Sequence, residues 1–495
     1  MLSAVEQSRL RISRTTDAKR KSQLGQFLTP ERTAQFMAGL FSQTTQVICR
    51  LLDPGAGIGS LTAAFLERWS SGGFGFLRVE ADAFEIDESL HPYLTRTLDE
   101  YKQHLNVVPN IRGGDFIAIA ASSLHGNLFA KALPKYTHAI LNPPYKKIRT
   151  NSIHRAVLSR VGIETVNLYS AFVALSLSLL VDHGQLVAII PRSFCNGPYY
   201  RPFREFMLER VAILHMHLFE SRKRTFQDDG VLQENIIIML ERGGHQGDVT
   251  VSTSTDDSFS DLVTQTHPYD RIIKPDDQER FIHVPTSTEM NTIELSETIR
   301  YSLADLRIMV STGPVVDFRL KDHLRNMPEP GTVPLLYPCH FSGQRVAWPK
   351  TGTKKPNAIH RNAETERWLY PAGYYCVVRR FSSKEENRRI VASVVQTDDF
   401  AGVKMLGFEN HLNVFHAGKQ GLPKALAHGL AVFLNTTAVD ENFRLFNGHT
   451  QVNATDLKLM KYPSREALIT LGEWAMRYTE LTQAMIDKKL EGLSA

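Results

Sequence analysis

Cysteine is scarce in this chain. Cys49, Cys195, Cys339 and Cys376 are the four in 495 residues, too few and too scattered for a disulfide framework or a paired thiolate metal site. They read as small buried hydrophobes, and no metal is expected. Long hydrophobic runs are missing too: none reaches the length that spans a bilayer, so no membrane association is expected. Residues 1–22 are polar and charged and lack the apolar core of a secretion signal, which points to a cytoplasmic location. An excess of charge of one sign is nearly absent. The 57 Lys and Arg against 52 Asp and Glu leave a net charge of +5, which permits nucleic-acid binding without demanding it. There is no internal repeat, no low-complexity tract, no nucleophile elbow and no paired zinc-ligand pattern.

What remains is a soluble α/β composition longer than one ordinary core, so two or more domains are expected. The N-terminal half alternates apolar strands and amphipathic helices. Strands are expected at residues 47–52, 77–86, 107–112 and 138–141, with a closing pair at 211–219 and 235–240. Ser60 is expected as the N-cap of a helix running to about Trp69. Each of the first four strands ends on a polar residue: Asp53, Glu85, Asp115 and Asn142. Their separations of 32, 30 and 27 positions match successive βαβ units. In an open parallel sheet the carboxyl ends of the strands line the ligand crevice, so the four converge on one site. Glycines at 243, 244 and 247 mark an expected domain boundary. Beyond it the βαβ rhythm stops, and a helical tail begins at Ser464.

The chemistry is carried by Asn142-Pro143-Pro144-Tyr145. Asn142 offers a side-chain carbonyl as acceptor, Pro143 and Pro144 stiffen the backbone and have no N–H to compete for it, and Tyr145 offers a flat face for stacking. This set suits the holding of a planar exocyclic amine against an electrophile. The loop from Asp53 to Gly59 carries Gly55, Gly57 and Gly59 but lacks the lysine and Ser/Thr of a P-loop, and its spacing departs from the dinucleotide fingerprint. A nucleoside cofactor without phosphates fits it better. Glu85 would then accept from ribose hydroxyls and Asp115 from the adenine amine. The plain alternatives are helix caps for Asp53 and Asp115 and a surface carboxylate for Glu85.

Taken together, these motifs resemble those of S-adenosylmethionine-dependent DNA adenine-N6 methyltransferases of the gamma motif order. The upstream segment Gly25-Gln26-Phe27-Leu28-Thr29-Pro30, the run Asn167 to Phe172 and the run Pro191 to Phe194 complete the pattern. The resemblance implies a Rossmann-like methyltransferase domain with a mixed, mostly parallel sheet at 23–245. Residues 1–22 would be an N-terminal extension, and 246–495 an α+β DNA target-recognition domain. It further implies that Thr29, Asp53, Gly55, Gly57, Glu85, Ile86, Asp115 and Phe116 bind S-adenosylmethionine, whose product is S-adenosylhomocysteine. Asn142 and the Pro143 carbonyl would hold the amine of a flipped adenine, with Pro144 behind them. Tyr145 and Phe226 would stack on the base, which must leave the duplex to be reached.

The segments Val377 to Phe381 and Asn447 to Asn453 resemble recognition-region signatures of type II restriction–modification methylases of the PstI/BsuBI kind. The implied partners are double-stranded DNA and a separately encoded cognate restriction endonuclease. Lys146, Lys147 and Arg149 are candidate phosphate contacts, and Arg379, Arg380, Gln451 and Asn453 candidate base contacts. The rival readings are cytosine-N4 methylation, where Ser more often replaces Asn142, and methylation of a protein glutamine or an RNA guanine. A fused nuclease lacks its Asp…Glu-x-Lys constellation here.

Overall fold

The computed structural model describes residues 1–15, 28–126, 132–220, 234–342, 345–382, 385–400 and 402–494. The chain divides into two compact units, Met1–Thr288 and Glu289–Ala495.

The first unit is built on a nine-stranded mixed sheet. Its strands are β1 (Ile48–Pro54), β2 (Arg78–Phe84), β3 (Val107–Arg112), β4 (Tyr136–Leu141), β5 (Leu180–Pro191), β6 (Val211–Phe219), β7 (Asn235–Arg242), β8 (Val249–Ser254) and β9 (Val263–His267). They lie in the order β3-β2-β1-β4-β5-β7-β6-β8-β9. The β1–β2, β2–β3, β1–β4, β4–β5 and β6–β8 pairs are parallel, whereas β7 lies antiparallel to both β5 and β6. Crossover helices are α3 (Ser60–Ser70), α4 (His91–Lys102), α5 (Phe116–His125) and α7 (Leu168–Leu179), with α1 (Leu2–Thr15), α2 (Glu31–Leu40), α6 (Ile153–Arg160) and α8 (Arg201–Leu208) around them. The central strands are apolar on both faces because both faces are covered. In β4, Ala139 and Leu141 enter one buried cluster and Ile140 the other. The expected Rossmann-like α/β architecture is therefore present. Among the described residues no helix is long and apolar enough to cross a membrane.

Three sequence expectations need correction. Residues 1–22 do not stand apart as an extension over their described part. Leu2, Val5 and Ile12 of α1 are buried in the core that also holds α2 and α3. Glu6 accepts a hydrogen bond from the Glu31 backbone N–H at 3.1 Å. That bond caps α2, whose own N-cap position is Pro30, without a side-chain donor or acceptor. Nor does the first unit stop at 245. The glycines at 243–247 make only a turn, after which β8 pairs with β6 and the apolar residues Ile272, Ile273, Ile282 and Val284 join the same core. Finally, the cap of α3 is Gly59 in the left-handed region, and Ser60 is the first helical residue. A sharp turn out of β1 demands that conformation, which serine adopts poorly.

The second unit is α+β, as expected. One antiparallel sheet contains Met309–Thr312, Leu412–His416, Tyr375–Arg379 and Ala392–Val395, and a five-stranded sheet accompanies it. Helices Lys424–Leu434 and Arg465–Ala475 pack backbone to backbone. A Cβ on Gly429 would sit 1.8 Å from the Leu468 carbonyl oxygen, and one on Gly472 1.7 Å from that of Ala425. Neither obstacle is a side chain that can swing away. Gly429→Ala or Gly472→Ala is therefore expected to destabilise this unit by about 1–3 kcal/mol through forced separation of the helices. Urea denaturation is the check, and an unchanged midpoint would show that the pair tolerates spreading.

Candidate active site

The carboxyl ends of β1, β2, β3 and β4 meet at a cavity of about 190 Å³. Its lining includes Gly55, Gly57, Glu85, Ile86, Asp115, Phe116, Asn142, Pro144 and Lys146 from the expected set. Leu28, of the upstream segment that the resemblance places at the cofactor site, also lines it, as do Phe84, Ile117, His154, Leu168 and Phe172, which were not singled out as ligand-binding from the sequence. Leu168 and Phe172 were marked by the Asn167-to-Phe172 motif. His154 carried no signal, being a lone histidine outside every motif. Thr29, Asp53, Pro143 and Tyr145 sit outside this lining; of these, Thr29 and Tyr145 brace a lining residue directly. A larger cavity of about 620 Å³ occurs in the second unit, lined partly by Arg345, Arg388 and Lys424. It gathers none of the strand-end residues.

The Asn142 carboxamide is held at both ends. Its Nδ2 donates to Thr29 Oγ1 at 3.0 Å, and its Oδ1 accepts from the Tyr145 hydroxyl at 3.1 Å. The same hydroxyl lies 3.1 Å from the Ile189 carbonyl of β5. Burial holds the Tyr145 phenol protonated, well above its ordinary pKa, so it remains a donor. The Asn142 carboxamide is thereby fixed in orientation, with Oδ1 as an acceptor. The Tyr145 ring packs edge-on against Tyr169, with centroids 6.3 Å apart.

The glycine loop is drawn in by β2. The Gly55 and Ala56 N–H groups both donate to the Phe84 carbonyl at 2.8 Å. Gly57 donates to Glu85 Oε2 at 2.8 Å, and the Asp87 N–H reaches Glu85 Oε1 at 2.7 Å. Gly57 has φ of 60°, and a Cβ there would lie 2.8 Å from Leu28 Cδ2. That left-handed backbone is what favours glycine here. Glu85 is thus a structural clamp on the loop as well as a cavity wall, and burial raises its pKa against the two backbone bonds that lower it.

Asp115 is a helix cap and a cavity residue at once. Its Oδ1 accepts from Ile117 N at 2.9 Å and Ala118 N at 3.4 Å, and its Oδ2 bonds His154 Nε2. Asp53 is 1% exposed. Its Oδ2 accepts from Thr62 Oγ1 at 2.6 Å, while Oδ1 has no partner among the described residues. Burial pushes its pKa up to about 7; the Thr62 bonds oppose this and the nearby Glu85 charge adds to it.

Lys146, Lys147 and Arg149 are exposed. Arg379 is ion-paired with Glu386. Arg380 donates to the Asn410 carbonyl at 3.1 Å and to Gln451 Oε1 at 3.2 Å. Asn453 caps helix Ala454–Leu459 in a capping box with Asp456. The two signature segments adjoin, with Val452 N donating to the Arg380 carbonyl at 2.7 Å and a bridge joining Phe381 to Gln451. Phe226 lies outside the described residues.

Asp53 makes stability depend on pH. Its folded pKa of about 7 exceeds the ordinary 3.8, so its contribution is full below pH 3.8 and is lost as pH rises through 7. Asp53→Asn cannot titrate. The stability difference between wild type and Asp53→Asn should therefore change across that window by on the order of a few kcal/mol. Urea titrations at stepped pH measure it, and parallel profiles would place the Asp53 proton elsewhere.

The Eco57I restriction-modification methylase family matches residues 106–226, which include β4 and the Asn142-to-Tyr145 turn. The type II methyltransferase M.BsuBI of Bacillus subtilis is 54% identical over 100% of this chain and 98% of its own length. M.PstI of Providencia stuartii is 42% identical over 98% of this chain and 95% of its own. In fold, the chain resembles DrdV as seen in a DrdV–DNA complex, with a TM-score of 0.53 at 12% identity over 95% of this chain and 59% of that one. End-to-end identity at this level, across both units, settles the relationship: the chain belongs to the type II methyltransferases of restriction–modification systems.

Proposed function

We propose that the protein transfers a methyl group from S-adenosylmethionine to N6 of an adenine rotated out of duplex DNA, protecting the DNA from a cognate restriction endonuclease. The observation that carries this reading is the Asn142 carboxamide, fixed by Thr29 and Tyr145 at the wall of a cavity that also exposes Glu85 and Asp115.

The residues fit the cofactor. Gly57 leaves room for a ligand's close approach, Asp53 Oδ1 is an unanswered buried acceptor, Glu85 and Asp115 suit hydroxyl and amine donors, and Ile86, Phe116 and Phe172 offer apolar walls. S-adenosylmethionine supplies an electrophilic methyl group and is left as S-adenosylhomocysteine. The protein contributes position and electrostatics. Asn142 Oδ1 and the Pro143 carbonyl accept the two amine hydrogens of adenine. Pairing both hydrogens turns the nitrogen lone pair away from the ring and towards the methyl group. With the donor bound, the new nitrogen–carbon bond would form as the sulfur–carbon bond breaks, and N6 would release one proton to water. The Tyr145 ring offers a stacking face that offsets part of the cost of extrusion, a few kcal/mol. Lys146, Lys147 and Arg149 lie exposed beside this pocket, where they would hold phosphates. Recognition of the target sequence is assigned to the second unit, where Arg379 and Arg380 adjoin Gln451 and Asn453 across the paired signature segments.

Asn142→Ala should abolish methyl transfer while calorimetry still shows cofactor binding; retained turnover removes Asn142 from its role. Single-molecule sequencing of DNA from an expressing host should reveal N6-methyladenine in one sequence context, and N4-methylcytosine there would reject the adenine assignment. Tyr145 has two functions that can be separated. Tyr145→Phe keeps the ring and loses the hydroxyl bond, which should slow transfer about fivefold. Tyr145→Ala should in addition lower the fluorescence of 2-aminopurine placed at the target position, and equal signals for the two variants would contradict stacking.

A further inference from the structure

Between the Asn142-to-Tyr145 turn and α7 the chain forms a closed loop, and it delivers to the cavity a side chain that belongs to none of the motifs. The stem of the loop is a short antiparallel pairing. Ile148 N donates to the Val166 carbonyl and Leu168 N to the Lys146 carbonyl, both at 2.8 Å, with Lys147 bridged to Asn167. Within the loop, α6 starts from Ser152, whose hydroxyl accepts from Arg155 N at 3.3 Å. Leu158 and Ile163 are buried and tie the loop to the core. The Arg155 guanidinium bonds the Thr165 carbonyl across it. Held in this way, the first turn of α6 places His154 on the cavity wall with Nε2 on Asp115 Oδ2.

Asp115 needs this partner if it is to point one way. The N-terminal N–H groups of α5 hold Oδ1, but a carboxylate turns readily about its last torsion. The Asp115 side chain is 34% exposed and that of His154 32%, so water can reach Oδ2 and would give it no fixed direction. With Oδ1 tied to the helix and Oδ2 tied to the imidazole, the carboxylate plane is set and the second lone pair of Oδ2 keeps a constant aim.

We propose that His154 is a positioning residue of the cofactor site. Its imidazole orients Asp115 so that the carboxylate accepts the exocyclic amine of an adenosyl ligand, and it thereby sets the preference for an amino purine over an oxo purine. This rests on the reading of the cavity as the S-adenosylmethionine site. An ionised carboxylate is acceptor-only, so an oxo group in place of the amine meets it lone pair to lone pair. A site built around such a bond discriminates strongly against the analogue that lacks the donor.

The test is calorimetric titration of S-adenosylhomocysteine and of S-inosylhomocysteine into the full chain as wild type, His154→Ala and His154→Gln. The glutamine amide restores a donor near the position of Nε2. Wild type should bind the adenosyl ligand at least about tenfold more tightly than the inosyl ligand, as expected for a hydrogen bond to a charged group. His154→Ala should weaken the adenosyl ligand by about tenfold and leave the inosyl ligand nearly unchanged, collapsing the preference. His154→Gln should restore part of it. A purely structural role would weaken both ligands alike, and that result, or an unaltered preference in His154→Ala, overturns the proposal. If His154→Ala fails to fold, His154→Phe, which keeps the ring bulk and loses the donor, takes its place: a collapsed preference supports the assignment, and a wild-type preference refutes it. Failure of wild type to bind either ligand would instead sink the cofactor reading itself.

Discussion

Everything at the site hangs on the parallel pairing of β1 with β4, in which Leu51 and Leu52 lie in register with His138 and Ala139. The chain leaves β1 to build β2 and β3 on one side, and returns to place β4 and β5 on the other. At that reversal the connections on the two sides part, and a crevice opens at the carboxyl edge. The glycine loop and the Asn142-to-Tyr145 turn, more than eighty positions apart in sequence, become adjacent walls of one cavity. Apolar packing on both faces of the central strands holds the register, because a slip of one residue would turn Leu51 and Leu52 to the wrong sides.

Buried polar groups around the cavity are answered by backbone more than by one another. Glu85 accepts from the Gly57 and Asp87 N–H groups and Asp115 from the first N–H groups of α5, while the Asn142 amide donates to Thr29 and accepts from Tyr145. Each bond does two jobs: it offsets the cost of taking a polar atom out of water, and it stops a side chain from turning. The exception is Asp53 Oδ1, buried and unanswered among the described residues. A buried acceptor in that condition is costly for the fold.

Much of this was legible in the chain itself. The four strand-end residues, the glycine loop and the proline-stiffened turn follow from local chemistry, and local chemistry survives folding. The boundary after 245 was misjudged because a glycine turn inside a sheet looks, in sequence, like a linker between domains. The first residues were misjudged because α1 contributes only Leu2, Val5 and Ile12 to the core, too sparse a pattern to announce burial. Asn453 and Gln451 have partners within their own unit, which no spacing rule shows.

By itself, then, the sequence determined which residue types end each strand, where the backbone needs glycine, and that a proline-stiffened turn follows the fourth strand. Those properties depend on side chains and torsions a few residues apart. Only the tertiary structure decided that Tyr145 grips Asn142 by its hydroxyl, that Glu85 is a clamp on the glycine loop, and that His154 reaches Asp115. Such contacts depend on the crossing of distant segments, and the energy that fixes them comes from packing across both faces of the sheet, which no short stretch of chain contains.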